Sequence, residues 1–588
     1  MPKIKPISQI LTANYFIPAY QRGYRWENKQ VRELLDDINS FKPNNNNNNW
    51  YCLQPLVVMD LSDNQKIDYK MPINEPCFEV IDGQQRLTTI CLILKVLTKN
   101  KECISIKYQS RPNSQKFLND IDIDINNSNN LDETNPDYYC MTSAILEINN
   151  WKNNNCNTLN AQNLFLDKLK QYTKVIWEPI QQNNNPITAF KRLNIGKVPL
   201  NGVDLVKSLF LQETNFNNQN EKLALATEWY NIETQLMDND FFYFICPNPD
   251  NFNYSERFAI LLDEIMKDGF NQLTNVQKEE IGEDDYCIFR YYQYKIVQDG
   301  YKKAWQIILD KFNLLSVWRD NQDWYHYIGF LRNCNNPEPL RNLWALWNPN
   351  NQQNIFSNSL KDLILRKLNT IIYNTQEQKF NLEYGTSSQR KKIRDLLLLF
   401  NIISHKNELN NPFLFHKFRV YKYDLEHIDS FTEQRILDID HQKEWCGFVL
   451  NDYQNVFNQN SNPNLWQRLN NFIQGYPAQF DLLRNEALSE INGTPNVNYN
   501  PHRVGNLALL PAPINRAYKN APFLTKRRVI QNNPQNHFVP IGTLNVFLKN
   551  FNWANNIQVW DHADNDINSY EELIALTILN DNINIPRQ

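Results

Sequence analysis

The spacing of apolar positions divides the chain into three regions that predict different elements. In residues 1–210, short apolar runs such as PLVVMD and CFEVID alternate with helical patterns such as LTTICLILKVL, which predicts an α/β domain. In residues 211–410, segments such as RFAILLDEIMK and IRDLLLLFNII repeat apolar residues at helical spacing, which predicts a mostly helical connector. In residues 411–588, extended segments such as RVGNLALLP precede helical ones. The predicted fold is therefore α+β and multidomain.

The composition agrees with a folded protein of several domains. The chain has 588 residues, and at about 150 residues per domain this predicts two to four domains. Hydrophobic residues make up 42% and aromatic residues 13%, which is too much large apolar side chain for a disordered polypeptide. The ten cysteines form no CxxC pair, which disfavours a zinc ribbon, a thioredoxin-like motif and a disulfide framework.

The sequence also excludes membrane-spanning segments and several common nucleotide-binding motifs. No apolar run approaches the roughly 18 residues that span a bilayer, and the N-terminus lacks the apolar segment of a signal peptide, so we expect a cytoplasmic protein without a membrane partner. The 14 glycines complete neither GxxxxGK[ST] nor GxGxxG, which excludes a Walker loop and a standard Rossmann fingerprint. All eight histidines lie at or after His326, so histidine acid–base chemistry is expected in the C-terminal part.

The formal net charge of −4 hides an uneven distribution. Between Ile491 and Trp560 there is no Asp or Glu, and we call this segment the acid-free stretch. Its cations are Arg503, Arg516, Lys519, Lys526, Arg527, Arg528 and Lys549. This excess of positive charge indicates a local anion-binding surface, and a solvated basic face is the alternative.

The segment CFEVIDGQQRLTTICLILKVL predicts a buried strand, a tight turn and a helix. The strand ends near Ile81, the turn lies at Asp82–Gly83, and the helix begins at Gln84. The N–H groups of the first helical turn, together with Arg86, would bind a phosphate without a glycine-rich loop. Asp82 is either the N-cap or a carboxylate that reaches a metal ion on that phosphate, and a plain capped helix is the alternative for the whole motif.

Two further segments accompany this motif. FIPAYQRGYRW (16–26) interleaves arginines with aromatic residues, a combination that contacts phosphates and stacks on bases. The equal alternative is that the aromatic rings belong to the core and the arginines to ion pairs. FKRLNIGKVPLNGVDLVKSLFL (190–211) contains Asn194, Gly196, Asp204 and Lys207 around a turn that leads into a helix, and its residues alone favour a structural role.

IPAYQRGYRW, DGQQRLTT and RLNIGKVPLNGVDLVK, in this order, resemble the N-terminal domain of GmrSD-type bacterial defence proteins, whose core is similar to the ParB and sulfiredoxin nucleotide-handling fold. The resemblance covers about residues 7–230. It implies binding and hydrolysis of a nucleoside triphosphate, GTP or ATP, by the DGQQR turn, which is Asp82, Gly83, Gln84, Gln85 and Arg86 here.

In related phosphorothioate-sensing proteins the N-terminal domain also reads a DNA modification. The resemblance therefore makes Tyr20, Gln21 and Arg22 candidates for a DNA contact.

A second set of candidate residues lies near the C-terminus. VYKYDLEHIDSF (420–431) predicts a strand that carries Glu426 and His427, HRVGNLALLP (502–511) predicts a second strand, and the following segment opens a helix or turn with Asn515 and Asn520. Hydrolysis of a phosphodiester needs a base, a cation and ligands for that cation. Oxygen donors of Glu and Asn suit Mg²⁺ or Mn²⁺, and a neutral histidine suits the base. Adjacent strand residues share a site only at a bulge or at a strand end.

EHI, GNLALL and INR together resemble the ββα-metal core of HNH endonucleases, in the variant of GmrSD-type C-terminal domains, over about residues 415–530. The resemblance implies that His427 is the general base, that Glu426 and Asn515 hold the metal ion, and that Asn506 orients the histidine. Asn520 competes with Asn515 as the ligand, and His441 competes weakly with His427. The chain lacks the proline that often follows the histidine, and the 79 positions from His427 to Asn506 require an insertion.

The acid-free stretch would hold the DNA backbone in this interpretation. The candidate contacts are Arg516, Lys519, Lys526, Arg527 and Arg528.

Together these observations predict a nucleotide-regulated DNA endonuclease of a bacterial anti-phage restriction system. It would act on double-stranded DNA with Mg²⁺ or Mn²⁺, and a nucleoside triphosphate, GTP or ATP, would regulate it. Association into a homo-oligomer is left open. Two alternatives are a non-cutting DNA-binding protein switched by the nucleotide, and an NTPase or toxin that acts on nucleotides or RNA.

Overall fold

The computed structural model divides the chain into two compact units, each with its own packing. One unit contains residues up to Phe242 together with Asn248–Asn313, and the other contains Tyr243–Pro247 and Leu314–Gln588. The predicted segment 211–410 is thus divided between the two units, because its first helices pack with the N-terminal residues. The residues that the structure describes are 3–43, 49–99, 102–110, 112–125, 127, 131–132, 135–180, 202–212, 215–216, 218–252, 256–284, 286–350, 353–409, 411–429, 436–476, 478–492, 500–514, 521–533, 537–550, 559–560 and 565–588.

The first unit is built on a six-stranded mixed sheet with the strand order β1-β6-β3-β4-β2-β5. The strands are β1 Lys3–Pro6, β2 Asn14–Ile17, β3 Tyr51–Asp60, β4 Cys77–Asp82, β5 Ser105–Tyr108 and β6 Thr173–Ile180. Strand β2 runs parallel to β4 and β5, so the carboxyl ends of these three strands meet at one edge. Strand β3 is antiparallel to β4 and parallel to β6. The α/β prediction for the N-terminal region is confirmed.

Helices accompany the sheet up to residue 320, and two of them, Asn239–Ile245 and Tyr301–Asp320, run across the boundaries between the units. The helices are α1 Ile7–Ile10, α2 Asn28–Ser40, α3 Asp63–Asp68, α4 Gln84–Thr98, α5 Pro112–Asp120, α6 Pro136–Asn155, α7 Leu159–Asp167, α8 Gly202–Phe210, α9 Gln219–Gln235, α10 Asn239–Ile245, α11 Phe258–Phe270, α12 Asn275–Ile281, α13 Cys287–Asp299 and α14 Tyr301–Asp320. Helix α4 is buried over most of its length, as expected for a helix that is apolar on all sides. Its Cys91 forms a disulfide with Cys103, a pairing that the scattered cysteines did not indicate.

The second unit is mostly helical, as the pattern after residue 211 predicts. Its helices after α14 are α15 Gln322–Asn333, α16 Leu340–Leu346, α17 Gln353–Lys367, α18 Ser387–Leu409, α19 Phe415–Val420, α20 Ile439–Asp452, α21 Pro463–Ile473, α22 Phe480–Asn492, α23 Phe523–Asn532, α24 Ile541–Leu548 and α25 Asn565–Asn580, and its strands are β7 Tyr373–Asn374, β8 Lys379–Phe380, β9 Tyr423–His427 and β10 Leu507–Pro511. Helix α18 is buried along its C-terminal half and packs on α15, α24 and α25.

Strands β9 and β10 form an antiparallel pair although they are far apart in the chain. The helices α20, α21 and α22 lie between them in sequence and share an apolar cluster that includes Trp445, Leu469 and Phe480. The predicted insertion is therefore a helical subdomain with its own core. Across the described part of the chain, no helix combines the length and apolarity needed to cross a bilayer.

A buried histidine of α15 makes the second unit sensitive to acid. The carbonyl of Gln322 lies 2.6 Å from His326 Nδ1, and the N–H of Phe413 donates to Nε2, so the ring is held in its neutral form. Burial lowers the pKa of His326 to about 4, whereas an unfolded histidine titrates at about 6.5. Between these values the unfolded chain binds a proton that the folded chain does not bind, so stability falls as the pH falls through this window.

We expect this residue to cost the second unit about 2 kcal/mol of unfolding free energy between pH 7.5 and pH 5. Urea unfolding of the wild type and of His326→Gln at both pH values measures it, and the variant should lose less stability on acidification. The exposed His441 provides the control His441→Gln, which should keep the wild-type pH dependence. An equal pH dependence of His326→Gln and the wild type would contradict the prediction.

Candidate functional site

The DGQQR segment forms the predicted strand, turn and helix at the edge where the parallel strands end. Strand β4 ends at Asp82, Gly83 adopts a φ of +104°, and α4 begins at Gln84. The N-cap residue is Gly83, which has no side chain to accept from the first turn, and N–H groups at a helix N-terminus are donors of the kind that bind anions. A Cβ atom on Gly83 would lie 2.7 Å from Leu56 Cδ1, which explains why the turn contains glycine.

Replacing Gly83 by alanine is expected to destabilise this turn by about 1–3 kcal/mol, since the added Cβ meets both an unfavourable φ and Leu56. Hydrogen exchange in peptides covering residues 77–98 would show faster exchange in the variant. Gly447→Ala is the control, because Gly447 lies inside α20 with open space around it, where alanine favours the helix. Unchanged exchange in Gly83→Ala would show that the turn tolerates a side chain.

The two glutamines of the motif hold the backbone of the arginine-rich loop. Gln84 Nε2 donates to the carbonyl of Arg22 at 2.6 Å, and Gln85 Nε2 donates to the carbonyl of Gly23 at 2.8 Å. Gln85 Oε1 accepts from the N–H of Arg25 at 2.7 Å. The segments 16–26 and 82–86, which the sequence presents separately, therefore form one structural unit. Gln84 Oε1 is buried and accepts no hydrogen bond from the described residues.

Arg86 has backbone partners. Its guanidinium donates to the carbonyls of Leu53 and Pro55 at 2.6 and 2.7 Å and lies 3.6 Å from Asp82 Oδ2. These bonds hold β3 at its irregular segment, where Gln54 has a positive φ. A phosphate contact for Arg86 stays a prediction, and the two hydrogen bonds to carbonyls use two of the five N–H donors of the guanidinium.

The three candidate DNA contacts of the N-terminal unit differ in exposure. Tyr20 is buried and donates to Glu79 Oε1 at 3.1 Å, and Gln21 is buried and donates to the carbonyl of Val80. Arg22 exposes 28% of its side chain and lies 3.2 Å from Asp204 Oδ2. The structure therefore turns Tyr20 and Gln21 inward onto β4, and Arg22 is the accessible member of this set.

Helix α8 places charged residues beside the loop that contains Arg22. The sequence analysis did not predict this contact. Asp204 pairs with Arg22, and Lys207 Nζ lies 3.7 Å from Glu233 Oε2. The sequence signal for two charged residues on one face of this helix is DLVK, in which an acid and a lysine stand about one helical turn apart. Asn194 and Gly196 of the same motif lie outside the described residues.

At the other site, the β9–β10 pair places the candidate base at a strand end. His427 is the last residue of β9 and is paired with Leu507, and Glu426 is paired with Ala508. Buried Asn506 fixes the segment after the strand: its Oδ1 accepts from the N–H of Asp429 at 3.0 Å, and its Nδ2 donates to the carbonyl of Asp429 at 3.1 Å. Asn506 therefore fixes the backbone that directly follows His427.

The imidazole of His427 lies in an aromatic environment. Its ring centroid is 4.9 Å from that of Tyr384 and 5.5 Å from that of His502. Burial, and secondarily the charge of Lys526, lowers the pKa of His427 to about 4. The ring is therefore neutral at pH 7, and its Nε2 is buried without a hydrogen-bond partner among the described residues. A neutral imidazole of this kind can accept a proton.

Glu426, the predicted metal ligand, is bonded to a lysine. Lys526 Nζ donates to Glu426 Oε1 at 2.8 Å and to the carbonyl of His427 at 2.6 Å. The described residues contain no group of three or more His, Cys, Asp or Glu side chains arranged to hold a metal ion. Asn515 and Asn520, the two alternative helical ligands, lie outside the described residues.

Most cations of the acid-free stretch that the structure describes are paired with acids. Four of its cations pair with carboxylates from outside the stretch: Arg503 with Glu571, Lys526 with Glu426, Arg528 with Asp452 and Lys549 with Asp566. Arg527 is half-buried, and Arg516 and Lys519 lie outside the described residues. The expectation of a concentrated anion-binding surface therefore loses the support of these four side chains, because folding brings acids to them.

Comparison with known proteins adds one match. The family model described as the N-terminal domain of the GmrSD restriction endonuclease matches residues 6–211. No curated protein matches the chain. The matched range contains strands β2 to β6, the last residue of β1 and the DGQQR turn, and it ends one residue after α8.

Proposed function

Through its residues 6–211 this chain belongs to the GmrSD-type restriction family, and on that premise we propose that it is a nucleotide-regulated endonuclease that cuts foreign double-stranded DNA. The family makes it a restriction-type DNA-defence protein. Cleavage is assigned to the β9–β10 pair and the helix α23 that follows it, and nucleotide binding is assigned to the DGQQR turn.

The observation that carries the assignment of cleavage is the environment of His427. A neutral imidazole ends β9, Asn506 fixes the backbone after it, and Nε2 has no described partner. In the proposed reaction His427 takes a proton from water, and the resulting hydroxide attacks a backbone phosphate. The bond to the 3′-oxygen breaks, which leaves a 5′-phosphate and a 3′-hydroxyl.

The residues of the DGQQR turn fit a nucleoside triphosphate. The N-terminus of α4, whose N-cap residue is Gly83, suits a phosphate. Residues Asp82–Arg86 would hold the nucleotide, whose hydrolysis supplies the free energy for switching. Because Gln84 and Gln85 bond the Arg22–Arg25 loop, a ligand that moves them also moves the candidate DNA contact Arg22.

The described residues do not fit a divalent metal ion. Glu426 is one carboxylate, and its Oε1 already accepts from an ammonium group. Mg²⁺ and Mn²⁺ prefer several oxygen ligands, which the described residues around Glu426 do not supply. The dependence of cleavage on Mg²⁺ or Mn²⁺ is therefore a part of the proposal that the assay must decide.

The test is cleavage of supercoiled plasmid by the full chain, with unmodified, glucosylated, methylated and phosphorothioated DNA. Reactions contain Mg²⁺, Mn²⁺ or EDTA, each with and without GTP or ATP. We expect nicked or linear products with 5′-phosphates, metal dependence, and a rate that changes with the nucleotide. DNA binding without cutting under every condition would favour a nucleotide-switched binding protein. NTP hydrolysis that ignores DNA, again without cutting, would favour an NTPase or toxin.

A further inference from the structure

A group of cations lies near the start of α18, in the same compact unit as His427. The segment RKKIR (390–394) contains four cations in five positions. Arg390 and Lys391 are exposed and Lys392 is half-buried, and within the described part of the chain no carboxylate pairs with any of these three. We call Arg390, Lys391 and Lys392 the α18 cation patch.

The stability of α18 gives no reason for this concentration of charge. Arg390 closes the first turn of the helix, where the positive end of the helix dipole disfavours a cation. Arg394 follows four residues after Arg390 and three after Lys391, and like charges at these spacings repel each other. Asp395, the acid next in sequence, accepts from the backbone and side-chain N–H groups of Asn335, both at 2.9 Å. The patch therefore carries positive charge that the protein itself does not neutralise.

Ring contacts place the patch beside the candidate base. The guanidinium carbon of Arg390 lies 5.5 Å from the ring centroid of Tyr384, and that centroid lies 4.9 Å from the centroid of His427. The guanidinium is thus no farther from the imidazole than these two distances together. The N–H of Tyr384 also donates to the carbonyl of His502 at 2.7 Å, which bonds this loop to the segment that leads into β10.

This separation suits the spacing of phosphates in DNA. Each strand of a duplex carries one phosphate per about 3.4 Å of helix axis, so the patch lies within about three nucleotides of a phosphate held at His427. The exposed acid in the same loop, Glu383, accepts from Asn500 Nδ2 at 2.8 Å. In the acid-free stretch, by contrast, most of the described cations pair with carboxylates. The charge available to a DNA backbone near the candidate base is therefore that of α18.

We propose that the α18 cation patch is a docking surface for the backbone of duplex DNA, and that it holds phosphates a few nucleotides from the one that is cut. The proposal rests on the proposed function in one respect, that His427 acts on DNA. Contacts to phosphates carry no sequence information. The patch would therefore hold any duplex, and the choice of foreign DNA would belong to other parts of the protein.

The experiment measures binding of the full chain to a short fluorescent duplex by anisotropy over a series of salt concentrations, with and without GTP or ATP. EDTA is present, so that metal-dependent cutting does not interfere. The first variant combines Arg390→Gln, Lys391→Gln and Lys392→Gln. We expect its affinity to fall about tenfold or more at low salt. The slope of log K against log salt concentration should become shallower by about 2–3, since each lost phosphate contact removes about 0.9.

A second variant, Lys391→Gln with Lys392→Gln, leaves the contact between Arg390 and Tyr384 in place. Its DNA affinity should also fall, whereas its free energy of unfolding in urea should not, because glutamine favours a helix as lysine does and the substitutions remove repulsion. A lower free energy of unfolding with unchanged DNA binding would assign these lysines to the fold and overturn the proposal.

The matched control removes three cations from α16 and α17, which likewise have no carboxylate partner among the described residues: Arg341→Gln, Lys361→Gln and Arg366→Gln. Because salt screens distant charges, this variant should bind DNA within about twofold of the wild type. An equal loss in the control would show a general effect of net charge and overturn the proposal, as would wild-type affinity in the first variant or the absence of duplex binding by the wild type.

The fate of this proposal is separate from that of cleavage. A chain that cuts no plasmid but loses duplex binding in the patch variants supports the docking surface and contradicts the proposed endonuclease. A chain that cuts plasmid and whose patch variants bind duplex as the wild type does supports the endonuclease and overturns the docking surface.

Discussion

Replacing His427 by alanine is expected to reduce DNA cleavage by about 10²- to 10⁴-fold, the range that a positioned general base supplies. The reason is local: the imidazole is neutral at pH 7, and its Nε2 has no described partner that would occupy it in the free protein. Initial rates of plasmid nicking at equal protein concentration measure the loss. Binding of GTP or ATP should be unchanged, because the DGQQR turn lies in the other compact unit.

His441→Ala is the matched control for this variant. His441 is exposed on α20 and pairs with Asp438, so its removal should leave cleavage within about twofold of the wild type. The sequence left His441 as a weak competitor for the role of the base, and the two variants decide between them. Cleavage lost in His441→Ala and kept in His427→Ala would reverse the assignment.

The second large effect concerns stability. Asn506→Asp is expected to destabilise the second unit by about 3–5 kcal/mol, because it replaces a buried amide by a carboxylate. The amide nitrogen donates to the carbonyls of Asp429 and Pro501 at 3.1 and 3.0 Å. Aspartate cannot donate while ionised and would place a negative charge against both carbonyls. Urea unfolding, together with hydrogen exchange in peptides covering 420–429 and 500–514, measures this effect.

Asn550→Asp makes the same chemical change on the surface. Asn550 is exposed and its side chain donates to Asn545, so this variant should change the unfolding free energy by less than about 0.5 kcal/mol. If Asn506→Asp were as stable as Asn550→Asp, the two hydrogen bonds to the carbonyls would not fix the hairpin.

The local features of both sites could be predicted from the sequence. An apolar run, an Asp-Gly pair and a second apolar run with helical length predict the strand, turn and helix around Gly83, because each depends on neighbouring residues. For the same reason the strand that ends at His427 and the strand that begins directly after Asn506 could be predicted from their apolar patterns. The prediction that any histidine chemistry lies in the C-terminal part rests on the positions of the histidines alone, and it stays a prediction.

The partners of these residues could not be predicted in the same way, because they come from distant parts of the chain. Gln84 and Gln85 each donate a hydrogen bond to a backbone carbonyl that lies 62 residues earlier in the chain. Lys526 meets Glu426 across 100 residues through the packing of a helix. The acid-free stretch shows the same limit. It contains no acid in sequence, but folding brings Glu571 and Asp452 from other parts of the chain into contact with its arginines.

The helical insertion between β9 and β10 has a consequence for the order in which the protein folds during synthesis. The entropic cost of closing a loop rises with the length of the loop. Two strands separated by about 80 residues therefore pair slowly unless the intervening chain is already compact. Helices α20, α21 and α22 share a core and can fold as soon as they leave the ribosome. Strand β9 then waits for β10, and His427 acquires its Asn506 neighbour only when residue 511 has emerged. A nascent chain therefore carries its candidate base in an unassembled site, and under the proposed function it would not cut DNA until synthesis has passed residue 511.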